Sequence, residues 1–213
     1  MSVAAKICGL STAETVAVAA AGGAKFTGFV FFPPSPRNLS PEQAGKLVAT
    51  VPAGITRVGV FVDPSDELIA KVLVKAPLDM IQLHGEETPE RVGLIRKKFG
   101  KQTMKAIKIA AETDLAAAPG YYGVADWLMF DARPPKSATR PGGNALAFDW
   151  ELLRAKKWPL PWMLSGGLTP DNLTEAVRIS RATSVDVSSG VESRPGVKDV
   201  SKIRDFLAKA QAI

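Results

Sequence analysis

Residues 4–32 read Ala-Ala-Lys-Ile-Cys-Gly-Leu-Ser-Thr-Ala-Glu-Thr-Val-Ala-Val-Ala-Ala-Ala-Gly-Gly-Ala-Lys-Phe-Thr-Gly-Phe-Val-Phe-Phe. Ala4 to Leu10 is a short apolar strand that stops at a thiol and then a glycine. Ser11, three residues before Glu14, opens a helix as a capping box, and Ala13 to Ala21 continues it until Gly22-Gly23. Phe26 to Phe32 is a continuous apolar strand stopped by Pro33-Pro34. A strand, a helix and a second strand in so short a span predict a right-handed βαβ crossover.

The unit repeats along the chain. Ser40-Pro41-Glu42-Gln43 opens a helix to Thr50, and Thr56 to Val62 is a β-branched strand ending at Asp63-Pro64, with Asp63 read as the cap of the helix Glu67 to Lys75. Met80 to Leu83 is a strand reaching His84-Gly85, and Thr88-Pro89-Glu90 opens a basic-tailed helix to Phe99. Met104 to Ile109, Trp127 to Phe130, Trp162 to Leu164 and Ser184 to Val187 read as strands. Helices are expected over Glu112 to Ala118, Phe148 to Lys156, Thr169 to Ile179 and Val197 to Ala210. Eight strands thus alternate with eight helices, about 27 residues per unit over 213 residues. That spacing predicts an α/β fold, a single (β/α)8 TIM barrel spanning residues 1–213. The uniformly apolar strands fit a sheet covered on both faces. The alternative is an open doubly wound sheet. It would place a glycine-rich dinucleotide fingerprint after the first strand, and none is there.

Hydrophobic residues make up 46% of the chain and charged residues 23%, an ordinary globular composition. A net charge of +6 favours anionic partners. The basic residues are dispersed, so small anions are expected rather than nucleic acid. No apolar run reaches about 18 residues, so no membrane span is expected. The start lacks the layout of a secretory leader, and the single cysteine suits a reducing compartment, so a cytoplasmic location is expected. No His, Cys and carboxylate cluster has metal-ligand spacing.

Chemistry in such barrels sits at the C-terminal ends of the strands. Those ends carry Cys8, the 33–38 loop with Arg37, Asp63, His84, Asp131, Gly166-Gly167 and Ser188-Ser189-Gly190. Taken alone, Cys8 is either a small buried hydrophobe or a reactive thiol at the rim of a sheet. Gly-Gly alone is an ordinary turn. Glycines after strand seven and Ser-Ser-Gly after strand eight together point to a phosphate held by backbone N–H groups. Arg37 is suited to gripping a carboxylate, or it is a solvated loop residue.

Lys6-Ile7-Cys8-Gly9, Phe32-Pro33-Pro34-Ser35-Pro36-Arg37, Gln82-Leu83-His84-Gly85, Phe130-Asp131, Phe148-Asp149-Trp150, Leu164-Ser165-Gly166-Gly167-Leu168 and Asp186-Val187-Ser188-Ser189-Gly190-Val191-Glu192 resemble, in order, the signature segments of the phosphoribosylanthranilate isomerase family. The resemblance implies a cofactor-free Amadori rearrangement in tryptophan biosynthesis on a small phosphorylated, carboxylated substrate, with Asp131 as general acid and Cys8 as general base. It also implies Arg37 at the anthranilate carboxylate and Asp186 near the reacting atoms, unless Asp186 is only tied into the barrel's hydrogen bonds. Such chemistry wants a thiol in polar or electropositive surroundings. It also wants a carboxyl kept protonated, for which Phe130 and Trp127 are the expected apolar neighbours. His84, the only histidine, reads as a supporting residue. A monomer is expected. One departure stands out: where the family commonly has Gly-Gly-Thr-Gly, this chain has Gly142-Gly143-Asn144-Ala145, which disfavours positive φ at residue 145 and stiffens the loop after strand six. Two competing readings are a related barrel isomerase of histidine biosynthesis, which pairs two aspartates, and a non-catalytic phosphate-binding barrel.

Overall fold

In the computed structural model, which describes residues 2–133, 147–154 and 156–213, β1 (Ala4–Cys8) pairs in parallel with β2 (Phe26–Phe31) on one side and β8 (Ser184–Val187) on the other. Between them run β3 (Thr56–Phe61), β4 (Met80–Leu83), β5 (Gln102–Ile109), β6 (Trp127–Ala132) and β7 (Trp162–Leu164), each beside its sequence neighbour, and the sheet closes. The expected barrel is therefore the observed one.

The helices show why each segment leaves the sheet where it does. α2 (Pro41–Val48) starts with a capping box between Ser40 and Gln43, and α4 (Pro89–Phe99) is capped by Thr88 and ends at left-handed Gly100. α1 (Ala13–Ala21) is capped by Thr12 rather than Ser11, because the Thr12 hydroxyl is the one that reaches the Thr15 N–H. α3 (Asp66–Lys75) is capped by Ser65, not Asp63. Asp63 sits at φ +44°, and its carboxylate accepts the Glu86 N–H, tying the loop after β3 to the loop after β4.

Four further segments depart from expectation. Glu112–Tyr121 is a 3-10 helix: Asp114 captures the N–H groups of Ala110 and Ala111, and Pro119 removes a donor near its end. α5 is only Glu151–Arg154, and α6 (Leu173–Ser180) begins after a turn in which the Asn172 side chain accepts the Thr169 N–H. A hairpin of β9 (Glu192–Arg194) and β10 (Val197–Lys198) occupies the expected start of the closing helix, so α7 runs Val200–Ala212 from an Asp199 cap. Residues 142–145, with Ala145, lie outside the described residues. Among those described, no helix is long and apolar enough to cross a membrane.

The core is in three parts, the smallest being Cys8, Val30 and Val60 at the C-terminal ends of β1, β2 and β3. Outward-facing strand residues such as Ile7, Phe29, Phe61, Ile81, Phe130 and Val185 pack against the helices. Inside the barrel, Phe26, Val58, Met80, Met104, Met129 and Met163 fill the lower layers, with Trp127 edge-on to Phe26 at 5.5 Å. Above that apolar floor the interior turns polar. Lys6, Gln82, Asp131, Ser165 and Asp186 are all buried, and each comes from a different strand or strand end.

Candidate active site

Strand alternation decides which side chains enter the barrel. On β1, Lys6 and Cys8 both point inward, and opposite Cys8 stands Gly28 of β2. A Cβ at Gly28 would lie 3.0 Å from Cys8 Sγ and 3.1 Å from Lys6 Nζ, so the missing side chain is the space in which thiol and ammonium meet. Lys6 is wholly buried, and its Nζ donates to Asp186 Oδ1 at 2.8 Å. Ser165 donates to the other Asp186 oxygen at 3.2 Å. Burial alone would lower the Lys6 pKa, but Asp186 and then Cys8 outweigh it and hold it above its ordinary value, so the buried amine stays charged.

Burial pushes the Cys8 thiol up, and the cations Lys6 and Lys198 pull it back only in part. The electropositive surroundings expected from the sequence exist, yet desolvation outweighs them, and the resting group is a thiol. Its alkylation by iodoacetamide should therefore accelerate with pH through a range above that of an ordinary thiol, about 8.5. With one cysteine in the chain, the rate reports Cys8 alone. Full-rate alkylation already at neutral pH would contradict this assignment of the resting state.

Asp131 also faces inward, 4% exposed, and its Oδ2 is 2.9 Å from His84 Nε2. The apolar neighbours expected for it are not there. Phe130 points to the opposite side of β6 and packs on Trp158 and Trp162, while Trp127 lies two inward positions lower on the barrel floor. His84 takes their place beside the carboxyl. Its other ring nitrogen, Nδ1, is 2.9 Å from Gln82 Nε2.

Arg37 is buried, and its Nε and Nη2 donate to both oxygens of Glu192 at 2.6 and 2.8 Å. The bidentate edge expected to meet a substrate carboxylate is thus committed to Glu192, and among the described residues Nη1 has no hydrogen-bond partner. Lys198 Nζ joins the cluster at 2.9 Å from Glu192 Oε1, donating also to the Ser188 carbonyl at 2.8 Å. Burial would raise the Glu192 pKa, but Arg37 and Lys198 hold it below the usual carboxylate range; burial lowers Lys198. Two basic side chains thus surround one carboxylate.

One cleft at the C-terminal end of the barrel is lined by Cys8, Arg37, Asp131, Gly166, Gly167, Asp186, Ser188 and Ser189. Gly190 is absent from the lining. Its missing side chain instead lets the loop after β8 press on the Leu168 carbonyl after β7. Gly166 and Gly167 sit at φ +92° and +64°, and among the described residues the N–H groups of Gly167 and Leu168 have no backbone acceptor. The Ser188 hydroxyl is already engaged, donating to the Cys8 carbonyl and accepting from Lys198, which among the described residues leaves Ser189 as the unengaged hydroxyl of the pair. Among the described residues no group of three or more His, Cys, Asp or Glu side chains could hold a metal ion.

Sequence reasoning singled out neither Lys6 nor Glu192, Gln82 or Lys198 as site residues. A signal for two of them was present: Lys6 and Gln82 are the lone polar, buried members of runs otherwise apolar. A charge or amide in a strand covered on both faces must find its partner inside the barrel.

Fold and cleft together define a (β/α)8-barrel enzyme whose chemistry lies at the C-terminal ends of its strands. The family model described as N-(5'phosphoribosyl)anthranilate (PRA) isomerase matches residues 5–209. The N-(5'-phosphoribosyl)anthranilate isomerase of Paramagnetospirillum magneticum is 54% identical, covering 99% of this chain and 98% of its own. The crystal structure of phosphoribosyl anthranilate isomerase from Thermotoga maritima superposes with a TM-score of 0.86 at 36% identity, covering 99% of this chain and 100% of that one. A solved phosphoribosyl anthranilate isomerase in complex with reduced 1-(o-carboxyphenylamino)-1-deoxyribulose 5-phosphate matches with a TM-score of 0.83 at 35% identity, over 99% and 100% of the two chains. The chain belongs to the N-(5'-phosphoribosyl)anthranilate isomerase family and is an isomerase.

Proposed function

We propose that this protein converts N-(5'-phosphoribosyl)anthranilate to 1-(2-carboxyphenylamino)-1-deoxyribulose 5-phosphate in tryptophan biosynthesis, with Asp131 as general acid and Cys8 as general base. The observation that carries the reading is the convergence of Cys8, Asp131, Arg37 and the Gly166-Gly167 loop on one cleft, each from a different strand end. The Asp131 proton goes to the ribose ring oxygen. The C1–O bond breaks as the anthranilate nitrogen lone pair forms C1=N, leaving an iminium. The Cys8 thiolate then takes the C2 proton, and the C2–H electrons form C1=C2 and neutralise the iminium. The enolamine tautomerises to the ketone. Lys6, next to the sulfur, lowers the cost of the thiolate. No step calls for a redox partner or a metal.

Both charged ends of the substrate meet hydrogen-bond donors. The phosphate belongs at Gly166, Gly167 and Ser189, where among the described residues the Gly167 and Leu168 N–H groups have no backbone acceptor. The carboxylate belongs at Arg37 Nη1, which has no partner among the described residues; Glu192, itself bonded by Lys198, holds the guanidinium in place. Gly167→Asp would set a carboxylate against the phosphate. Asp tolerates left-handed φ better than most residues, so the protein should fold while KM rises about tenfold, the equivalent of about 1.4 kcal/mol. An unchanged KM in the folded variant would remove the phosphate from this loop.

The family-level test is complementation of a tryptophan auxotroph lacking this isomerase, beside a histidine auxotroph. Rescue of the first is expected. Rescue of neither by well-expressed protein would favour a binding module over an enzyme.

A further inference from the structure

We propose that Gln82 and His84 are positioning residues that fix the ring tautomer beside Asp131 and so hold the transferable proton on Asp131 Oδ1, the carboxyl oxygen His84 does not touch. The inference rests on the reading of Asp131 as the acid. It starts from a problem of proton affinity. In water an imidazole binds a proton more tightly than a carboxylate does. A histidine 2.9 Å from the catalytic carboxyl would therefore be expected to take its proton and leave an imidazolium–carboxylate pair, which has no acid to offer.

Gln82 opposes that transfer. Its side chain is wholly buried, and its Nε2 lies 2.9 Å from His84 Nδ1 and 3.3 Å from the Met129 sulfur. A thioether only accepts, so the amide nitrogen, not the oxygen, belongs between ring and sulfur. The reverse orientation would press oxygen on sulfur and leave two N–H donors unpaired. The orientation chosen leaves one orphan, Oε1, which is buried and has no partner among the described residues. Leaving a buried acceptor unpaired costs about 1–3 kcal/mol, and the site tolerates it to point the donor at the ring.

With an N–H aimed at Nδ1, that nitrogen must be an acceptor, and a neutral ring then carries its hydrogen on Nε2. An imidazolium would set Nδ1–H against the amide N–H with no acceptor between them. The ring thus stays neutral and donates Nε2–H to Asp131 Oδ2. That oxygen is occupied as an acceptor, so the acid's proton sits on Oδ1, for which the described residues supply no hydrogen-bond partner. After transfer the same N–H steadies the carboxylate. The ring is itself held: the His84 N–H donates to the Phe61 carbonyl at 2.8 Å, and Asp63 and Glu87 tie down the residues that follow. Among the described residues, the other ionisable groups around Asp131 include Cys8, Arg37 and Asp186 in the cleft, Lys6 beneath, and Lys108 beside it on β5, paired with Glu86.

His84 is the only histidine, so protein labelled with 15N-histidine yields one ring whose two nitrogen shifts report its tautomer directly. Near neutral pH the wild-type ring should be neutral with its hydrogen on Nε2. In Gln82→Glu, a carboxylate accepts Nδ1–H, so the ring should become an imidazolium and kcat should fall about 10²-fold or more. Gln82→Met, which keeps bulk but removes the amide, should lose the fixed tautomer while the fold is retained. An imidazolium or an Nδ1–H ring in the wild type would overturn the proposal, whatever the variants do. A Gln82→Glu protein whose ring or kcat matches wild type would overturn it as well. Failure of the isomerase reading would show as an inactive wild type, with the ring measurement standing apart from it.

Discussion

Cys8→Ser is expected to lower kcat by about 10²–10⁴-fold, with KM little changed. A hydroxyl fits where the thiol lies, between Lys6 and the Gly28 backbone, so packing barely changes. What is lost is the thiolate, because a serine hydroxyl ionises far less readily even than a thiol that burial has pushed up. Asp131→Asn should cost as much for the complementary reason: the amide can still accept the His84 N–H but has no proton to give the ring oxygen. Phosphate and carboxylate are held by other residues, so binding should survive in both variants. The wild-type profile of kcat/KM against pH should be bell-shaped, and its limbs belong to the coupled acid–base pair rather than to either residue. Cys8→Ser within a few-fold of wild type would return Cys8 to the role of a small packing residue.

Lys6→Met is expected to damage the protein twice. The Asp186 carboxylate would keep only the Ser165 hydroxyl while remaining 5% exposed. Stranding one partner of a buried ion pair costs about 3–5 kcal/mol of stability. The thiol would also lose its nearest cation, so alkylation of Cys8 should move to still higher pH. Lys6→Met/Asp186→Leu separates the two losses, because replacing a buried pair by well-packed apolar groups is often neutral for stability. The double variant should regain most of the folding stability in a denaturant titration yet remain impaired in kcat. If it regains activity with stability, the pair is only filling for the barrel and has no part in the chemistry.

What could be read from the chain, and what could not, follows from the range of the interactions. Strand ends, helix starts and the glycines after β7 and β8 are local, so the barrel and the residues on its rim were legible. Cys8 and Asp131 were found because they end strands. Their surroundings were not legible: Lys6 meets Asp186 across 180 residues and Arg37 meets Glu192 across 155, and neither pairing leaves a trace in nearby sequence. The misreading of Phe130 and Trp127 as neighbours of Asp131 has the same origin. In a strand covered on both faces, apolar residues point both ways, so composition does not say which one shares the interior with the carboxyl. Only the position of Asp131 fixes the phase, placing Met129 and Trp127 on its side and Phe130 on the other. Of the hairpin β9–β10, the strand Val197–Lys198 reads as helix in the sequence because it continues smoothly into α7. Its purpose is visible only in three dimensions, where it carries Glu192 and Lys198 to Arg37.

The most direct measurement is a single-turnover reaction of N-(5'-phosphoribosyl)anthranilate deuterated at ribose C2, run with wild-type protein and with folded Cys8→Ser. If Cys8 removes the C2 proton in an enzyme of this specificity, the wild type should form 1-(2-carboxyphenylamino)-1-deoxyribulose 5-phosphate, with loss of deuterium from C2, and the variant should be slower by about 10²-fold or more. Equal rates in the two proteins, or no product from folded wild type, would contradict it.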